Sequence, residues 1–176
     1  MNRRKFLGAG AGLLAAGKTL AALAAETDQE HAMKDATEDA VYELHPVGIV
    51  QKGGDAACIR IFDKYVDGLK GLDGFSHVLV FYWFHKNDSP PKRSTLQVHP
   101  RGDAKNPLTG VFACRAPVRP NLIALTLCKV LSVEGNVVRL DKIDALDSTP
   151  VLDLKPYIPH IDETSKDVRL PDWLKR

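Results

Sequence analysis

Residues 77–85 read HVLVFYWFH, an apolar run with no polar residue between its two histidines. Successive side chains of a strand point to opposite faces, so a strand with one wet face alternates polar and apolar residues. This run does not alternate. It reads as a central strand, buried on both sides or laid against a partner subunit. From Val41 onward the chain shows other short apolar stretches, separated by Gly, Pro, Asn and Asp. We expect strands at 42–50, 58–62, 77–84, 95–99, 110–113, 122–133, 137–140 and 151–154. Gly53-Gly54 and Val133-Glu134-Gly135-Asn136-Val137 supply turn residues for two antiparallel hairpins. Apolar residues at Tyr65, Val66, Leu69 and Leu72 have nearly helical spacing and predict one short helix over 63–72, interrupted by Gly68. Many short strands and few helices imply a mainly β domain, a barrel or a sandwich. At 176 residues and 44% hydrophobic the chain suits one packed domain.

The N-terminus has a different character. Arg3, Arg4 and Lys5 precede a Gly/Ala/Leu stretch that ends in the small-residue site Ala22-Leu23-Ala24. This is a signal-peptide layout, and the paired arginines with a weakly hydrophobic, Gly-rich core fit the twin-arginine export route. The uninterrupted apolar run from Phe6 to Gly17 is shorter than the roughly 20 residues of a spanning helix, so we expect cleavage and no stable membrane insertion. Residues 1–24 form the signal, 25–40 a polar, acid-rich linker, 41–162 the folded domain and 163–176 a tail. The expected location is extracytoplasmic or periplasmic, or cytoplasmic if the signal is not used. The first 24 residues carry no acid, and after them 20 basic side chains face 22 acidic ones, a net of −2. Bulk charge therefore does not encode strong attraction to nucleic acid, although a local basic patch would still provide it.

Cys58, Cys114 and Cys128 are an odd number without CxxC spacing, so they make no disulfide framework; we read them as small buried residues in strands. His77 and His85 are eight residues apart, roughly 26 Å along a strand, too far to share a metal ion. No Cys/His cluster, nucleophile elbow, phosphate loop or dinucleotide fingerprint is present, and we expect no metal site.

What remains is a set of Pro-fixed polar segments: HPRG at 99–102, CRAPVRPN at 114–121 and DALDSTPVLDLKPYIPHID at 144–162. With Gly71-Leu72-Asp73-Gly74-Phe75-Ser76-His77, the stretch GVFACRAPVRPNLIA at 110–124 and Leu146-Asp147-Ser148-Thr149-Pro150, these resemble the TsaA-like, or TrmO-like, tRNA methyltransferases. The resemblance runs from Val47 to Asp162. It implies a single closed or partly open β-barrel with one or two short helices, S-adenosylmethionine as cofactor, and a homodimer with the cofactor near the subunit interface. The family acceptor is the exocyclic amine of threonylcarbamoyladenosine in tRNA.

By motif, the resemblance carries cofactor contacts onto His85, Lys86, Arg115, Leu125, Ile143, Asp144, Ala145 and Leu146. Arg115 would pair with the cofactor carboxylate, and backbone groups of the 143–146 loop would hold adenine or ribose. Asp147, Lys155 and Tyr157 are the catalytic candidates, either orienting the acceptor amine or bracing the barrel mouth. Arg101 and Arg119 are the candidate phosphate contacts.

The sequence also departs from the family. RPNPIG stands here as Arg119-Pro120-Asn121-Leu122-Ile123-Ala124, Thr-Arg-Ser as Cys114-Arg115-Ala116, and DGTP as Asp147-Ser148-Thr149-Pro150. The 50–59 interval has no room for the longer lid of many members, and 14 residues follow Asp162 where longer relatives carry an extension. An export signal conflicts with a cytoplasmic acceptor. Two other readings therefore stand beside tRNA methylation: an exported barrel that binds a nucleoside-type or other small ligand, and a methyltransferase for a non-tRNA acceptor.

Overall fold

The computed structural model describes residues 40–53, 56–163 and 168–174. The expected signal and most of the expected linker lie outside the described residues. The chain divides into two compact units, Met1–Glu43 and Leu44–Arg176. All strands and helices described below belong to the second. Among the described residues no helix is long and apolar enough to cross a membrane.

Among the described residues eight strands form: β1 (Gly48–Gly53), β2 (Ala56–Ile61), β3 (His77–Trp83), β4 (Gln97–Val98), β5 (Thr109–Gly110), β6 (Ile123–Glu134), β7 (Val137–Leu140) and β8 (Pro150–Pro156). Six of them close into a barrel in the order β1-β2-β7-β6-β3-β8, while β4 and β5 pair separately. The expected mainly β barrel is therefore what the chain forms. Both expected hairpins are present: Gly53 pairs with Ala56, and Glu134 with Val137 across a turn in which Gly135 takes φ 59°. The first strand begins at Gly48, since residues 40–47 form no regular structure and Val41 and Tyr42 are exposed. The expected strands at 95–99 and 110–113 shrink to two-residue rungs, because Pro100 and Pro107 withhold backbone donors on either side.

The expected helix over 63–72 is instead a 3₁₀ segment, Asp63–Leu69, followed by a second short turn, Leu72–Gly74. Gly68 weakens the middle and Gly71, at φ 85°, ends the segment in the left-handed region. Among the described residues the α-helices are two single-turn elements that each begin with proline, α1 (Pro90–Arg93) and α2 (Pro159–Asp162).

Strand β3 is central, pairing β6 on one edge and β8 on the other. Only one of its faces is buried within the chain. Val78, Val80 and Tyr82 point into the barrel, where they join Val50, Ile59, Cys128, Val138, Leu140 and Val151. Such β-branched side chains fill a narrow barrel without leaving a channel. Leu79, Phe81 and Trp83 point outward and lie opposite Leu127, Leu125 and Ile123 of β6. Those three are 44%, 37% and 37% exposed, so an apolar strip runs down the outside of the barrel.

The three cysteines are free, but only Cys128 is buried; Cys58 and Cys114 are half-buried, and Cys114 stands in a loop. Burial pushes the Cys128 thiol up to about 12, so it behaves as a small core residue.

The ring closes on β1 and β8 through two register pairs, Gly48 with Val151 and Ile49 with Pro150. At Gly48 an added Cβ would lie 2.6 Å from the carbonyl oxygen of Arg60, a backbone atom that cannot move aside without shifting the ladder. Gly48→Ala should therefore destabilise the fold by about 1–3 kcal/mol. Chemical denaturation would measure it, and an unchanged midpoint would contradict this account of the seam.

Candidate functional site

One end of the barrel gathers several of the residues singled out by the sequence. Phe84 leaves the strand geometry after β3, and His85 follows in a short turn, half-buried. Its Nδ1 lies 3.3 Å from Oγ1 of Thr149, the one buried polar side chain among the described residues. Beside it the Tyr82 hydroxyl, at the inward end of β3, donates to the carbonyl of Asp144 and lies 3.1 Å from the Thr126 hydroxyl. Burial raises the Tyr82 phenol above its ordinary value, so it stays protonated and remains a donor. These bonds fix the 143–149 loop over the barrel mouth. Ile143 and Ala145 turn inward, whereas Asp144 and Leu146 face out.

The same loop is stitched to β1. Ser148 N–H donates to the Val50 carbonyl, Val50 N–H donates to the Thr149 carbonyl, and Lys52 N–H donates to Asp147 Oδ1 at 2.8 Å. The Lys52 N–H bond and the Ser148 hydroxyl hold the Asp147 carboxyl below the usual carboxylate range. Asp147 is thus engaged by the chain's own groups, the Lys52 N–H and the Ser148 hydroxyl.

The other catalytic candidates lie elsewhere. Lys155 pairs with Asp153 at 2.9 Å on the outside of β8, with its Nζ 6.0 Å from the centre of the Phe81 ring. The Tyr157 hydroxyl donates to Glu163, and its backbone N–H to the carbonyl of His77. It therefore stands at the opposite end of β3 from His85. Asp147, Lys155 and Tyr157 do not form one site.

A second cluster surrounds a cavity of about 1170 Å³, lined among others by His99, Arg101, Phe112, Cys114, Arg115 and Trp173. Its walls come from the HPRG turn and the segment after β5. Arg101 holds φ 61°, a left-handed conformation rare outside glycine. The turn is fixed by Gly102 N–H to the His99 carbonyl, and by Asn106, whose side chain donates to the Pro100 carbonyl. Arg119 is expected to contact phosphate, but its guanidinium donates to the carbonyls of Val111 and Cys114. Through Nη2 it clamps the loop that carries Arg115, while its buried Nε has no partner among the described residues. Arg93 ties the neighbouring RPN turn down by donating to the Pro120 carbonyl at 3.0 Å while pairing with Asp88 at 2.7 Å.

Arg101 and Arg115 themselves have no ion pair or side-chain hydrogen bond among the described residues. The cavity lined by Arg115 includes none of His85, Lys86, Leu125 or residues 143–146. Lys86 is exposed, its carbonyl accepting from Lys92, and Leu125 lies on the outer apolar strip. The expected cofactor contacts therefore occupy three places on one chain: the mouth, the outer strip and the cavity. Sequence reasoning missed Tyr82, Thr149, Phe112 and Trp173. The inward alternation of β3 was a signal for Tyr82, and the STP turn one for Thr149.

With this geometry in view, comparison with known proteins is informative. The model of the tRNA-methyltransferase O N-terminal domain matches residues 46–163, most of the chain and the whole barrel. The chain belongs to this family. A Methanocaldococcus jannaschii protein named as a probable S-adenosyl-L-methionine-binding protein is 45% identical over 122 residues, 69% of this chain and 97% of its own length. The mouse tRNA (adenine(37)-N6)-methyltransferase is 44% identical over 110 residues, 60% of this chain. This chain spans only 25% of the mouse protein, which is correspondingly larger. The solved TrmO structure from Pseudomonas aeruginosa superposes with a TM-score of 0.59 at 28% identity, covering 75% of this chain and 62% of that one.

The family turn DGTP, here Asp147-Ser148-Thr149-Pro150, shows why glycine belongs in it. Ser148 takes φ 62°. A side chain there costs about 1 kcal/mol, so Ser148→Gly should stabilise the protein by about 0.5–1 kcal/mol despite loss of the exposed Ser148–Asp147 hydrogen bond. Ser148→Ala keeps the strain and loses that bond. Thermal unfolding of both variants checks this; a glycine variant less stable than wild type would contradict it.

Proposed function

We propose that the barrel is an S-adenosylmethionine-dependent methyltransferase whose acceptor is the exocyclic amine of a tRNA adenosine, threonylcarbamoyladenosine in the family reading. The observation that carries this is the unpaired Arg115 guanidinium on the cavity, inside a family match that spans the whole barrel. The donor set fits the cofactor. A guanidinium fork suits its carboxylate, the backbone of the Asp144–Leu146 loop and the exposed side chains of Asp144 and Leu146 suit adenosine, and among the described residues no carboxylate lines the cavity to oppose the bound acid. When bound, S-adenosylmethionine supplies a methyl group on a cationic sulfur, ready for in-line attack. The protein's part is positioning and exclusion of water, and a strong general base is not needed. That agrees with the engagement of Asp147, Lys155 and Tyr157 in structural contacts.

The active species in this reading is a homodimer. The cofactor contacts do not meet on one chain, and Leu125 stands on the outer apolar strip with Leu79, Phe81 and Leu127. A second copy laid on that strip covers the apolar surface and brings Leu125 to a composite site. Such an interface buries about 1,200 Å² or more in total. Sedimentation should give a dimer at micromolar concentration, and Leu127→Glu, a charge set in the strip, should give monomer. A wild-type monomer would count against this arrangement.

Export is a further proposal, carried by Arg3-Arg4 and Ala22-Leu23-Ala24. Fractionation and N-terminal sequencing should find a protein beginning near residue 25 outside the cytoplasm, and Arg3→Lys with Arg4→Lys should retain it inside. The paired arginines favour a second reading of the acceptor, in which the barrel methylates, or only binds, a molecule outside the cytoplasm. Full-length protein confined to the cytoplasm would remove that reading.

Calorimetry with S-adenosylhomocysteine tests the cofactor assignment. Wild type should bind, and Arg115→Ala should lose about 10-fold to 150-fold in affinity, the worth of one charge-assisted contact, with an unchanged melting temperature. No uptake by ligand-free wild type at millimolar concentration would sink the methyltransferase reading.

A further inference from the structure

The cavity behind Arg115 is larger than a cofactor carboxylate needs. Its volume, about 1170 Å³, exceeds the roughly 300–1,000 Å³ of ordinary small-ligand sites. Among the described residues its lining combines aromatic and aliphatic walls with His99, Cys114 and two guanidinium groups, and holds no carboxylate. Phe112 is 83% exposed, a large ring held in a short turn after β5 with most of its surface left in water by the chain's own packing. Arg101 has no ion pair or side-chain hydrogen bond among the described residues, and a fixed turn with left-handed φ at both Arg101 and Gly102 sets where its side chain starts.

The remaining wall comes from the C-terminal tail. Trp173 and Leu174 line the cavity, yet they lie beyond residue 163, where the family match ends. They sit in a 3₁₀ turn, Asp172–Leu174, closed by Leu174 N–H to the Pro171 carbonyl at 3.0 Å. A half-buried indole is thus added to a wall that already holds Arg101 and Phe112. Flat aromatic surfaces with free guanidinium groups and no acid suit a planar heterocycle joined to an anion, the chemistry of a nucleotide.

We propose that this cavity is the acceptor-nucleotide subsite, in which Trp173 and Phe112 stack a base and Arg101 pairs with its phosphate, while Arg115 anchors the donor beside it. The proposal rests on the methyl-transfer reading and deepens it. It assigns to the tail a binding role that the barrel motifs do not contain. The donor is itself an adenosine with a carboxylate, so the experiment must separate the two sources of this chemistry.

The chain holds two tryptophans, Trp83 and Trp173, so a Trp83→Phe background leaves Trp173 as the sole indole reporter. In the full chain saturated with S-adenosylhomocysteine, adenosine 5′-monophosphate and an anticodon stem-loop RNA should quench its fluorescence. S-adenosylhomocysteine alone should not. Trp173→Ala should weaken RNA binding about 5-fold to 100-fold, the range for one stacked base, whereas Trp173→Phe should retain most of it. Arg101→Ala should lower the slope of log affinity against log salt by about 0.7, one phosphate's worth on a single strand. Calorimetric binding of S-adenosylhomocysteine should be the same in the Trp173 and Arg101 variants as in wild type. Quenching by S-adenosylhomocysteine with competition by the monophosphate would hand the cavity to the donor and overturn the proposal. So would RNA binding indifferent to Trp173→Ala while S-adenosylhomocysteine uptake stays intact. Failure of that uptake in wild type is a separate result, and it strikes the methyl-transfer reading on which this proposal stands.

Discussion

A six-stranded ring has to join its first and last strands, and here the joint is narrow. Only two residue pairs connect β1 and β8, and the closure is completed by Val47 N–H donating to the Val151 carbonyl and by the 146–149 turn. Bonds between Ser148 and Val50, Val50 and Thr149, and Lys52 and Asp147 fasten that turn to β1. Tyr82, rooted in the core by its strand, holds the Asp144 carbonyl from the other side. The bonds that close the barrel therefore also set the loop that the family resemblance gives to the cofactor. Disturbing closure disturbs the site, which explains why so many polar groups at the mouth are engaged with the chain itself.

Buried polar bonds of this kind hold a loop firmly because an unmade one leaves a desolvated group behind. Thr149 meets its requirement through His85, so His85 is tied to the mouth before any ligand arrives. The cavity is different. Its loop is braced internally by Arg119, while Arg101 and Arg115 have no ion pair or side-chain hydrogen bond among the described residues. The molecule thus separates a braced mouth from a cationic cavity, and the unspent hydrogen-bonding capacity lies in the latter.

Much of this was legible in the sequence. The β class, the two hairpins and the centrality of 77–83 follow from apolar patterning and turn residues, which are local signals. The Pro-bounded motifs marked the loops that carry the site. What escaped depends on contacts between distant residues. Nothing local says that Tyr82 reaches Asp144, that Arg119 turns back onto the carbonyls of Val111 and Cys114, or that Tyr157 lies at the far end of β3 from His85. The short helix was misread because apolar spacing does not distinguish a 3₁₀ segment broken by Gly68 and Gly71 from an α-helical turn. The run HVLVFYWFH, open to two readings, buries only its inner face fully within the chain, and its outer face stays half-buried.

In the proposed dimer the cofactor site would be composite, with His85 and the 143–146 loop from one copy and Arg115 and its cavity from another, joined across the outer strip of β3 and β6. Co-expression of His85→Ala and Arg115→Ala chains tests this most directly. Each variant alone should bind S-adenosylhomocysteine weakly. Random pairing makes half of the dimers mixed, and each mixed dimer has one site with both residues intact, so about a quarter of all sites should recover wild-type affinity in calorimetry. Mixed dimers that bind no better than either parent would contradict the composite site and place His85 and Arg115 in the service of a single chain.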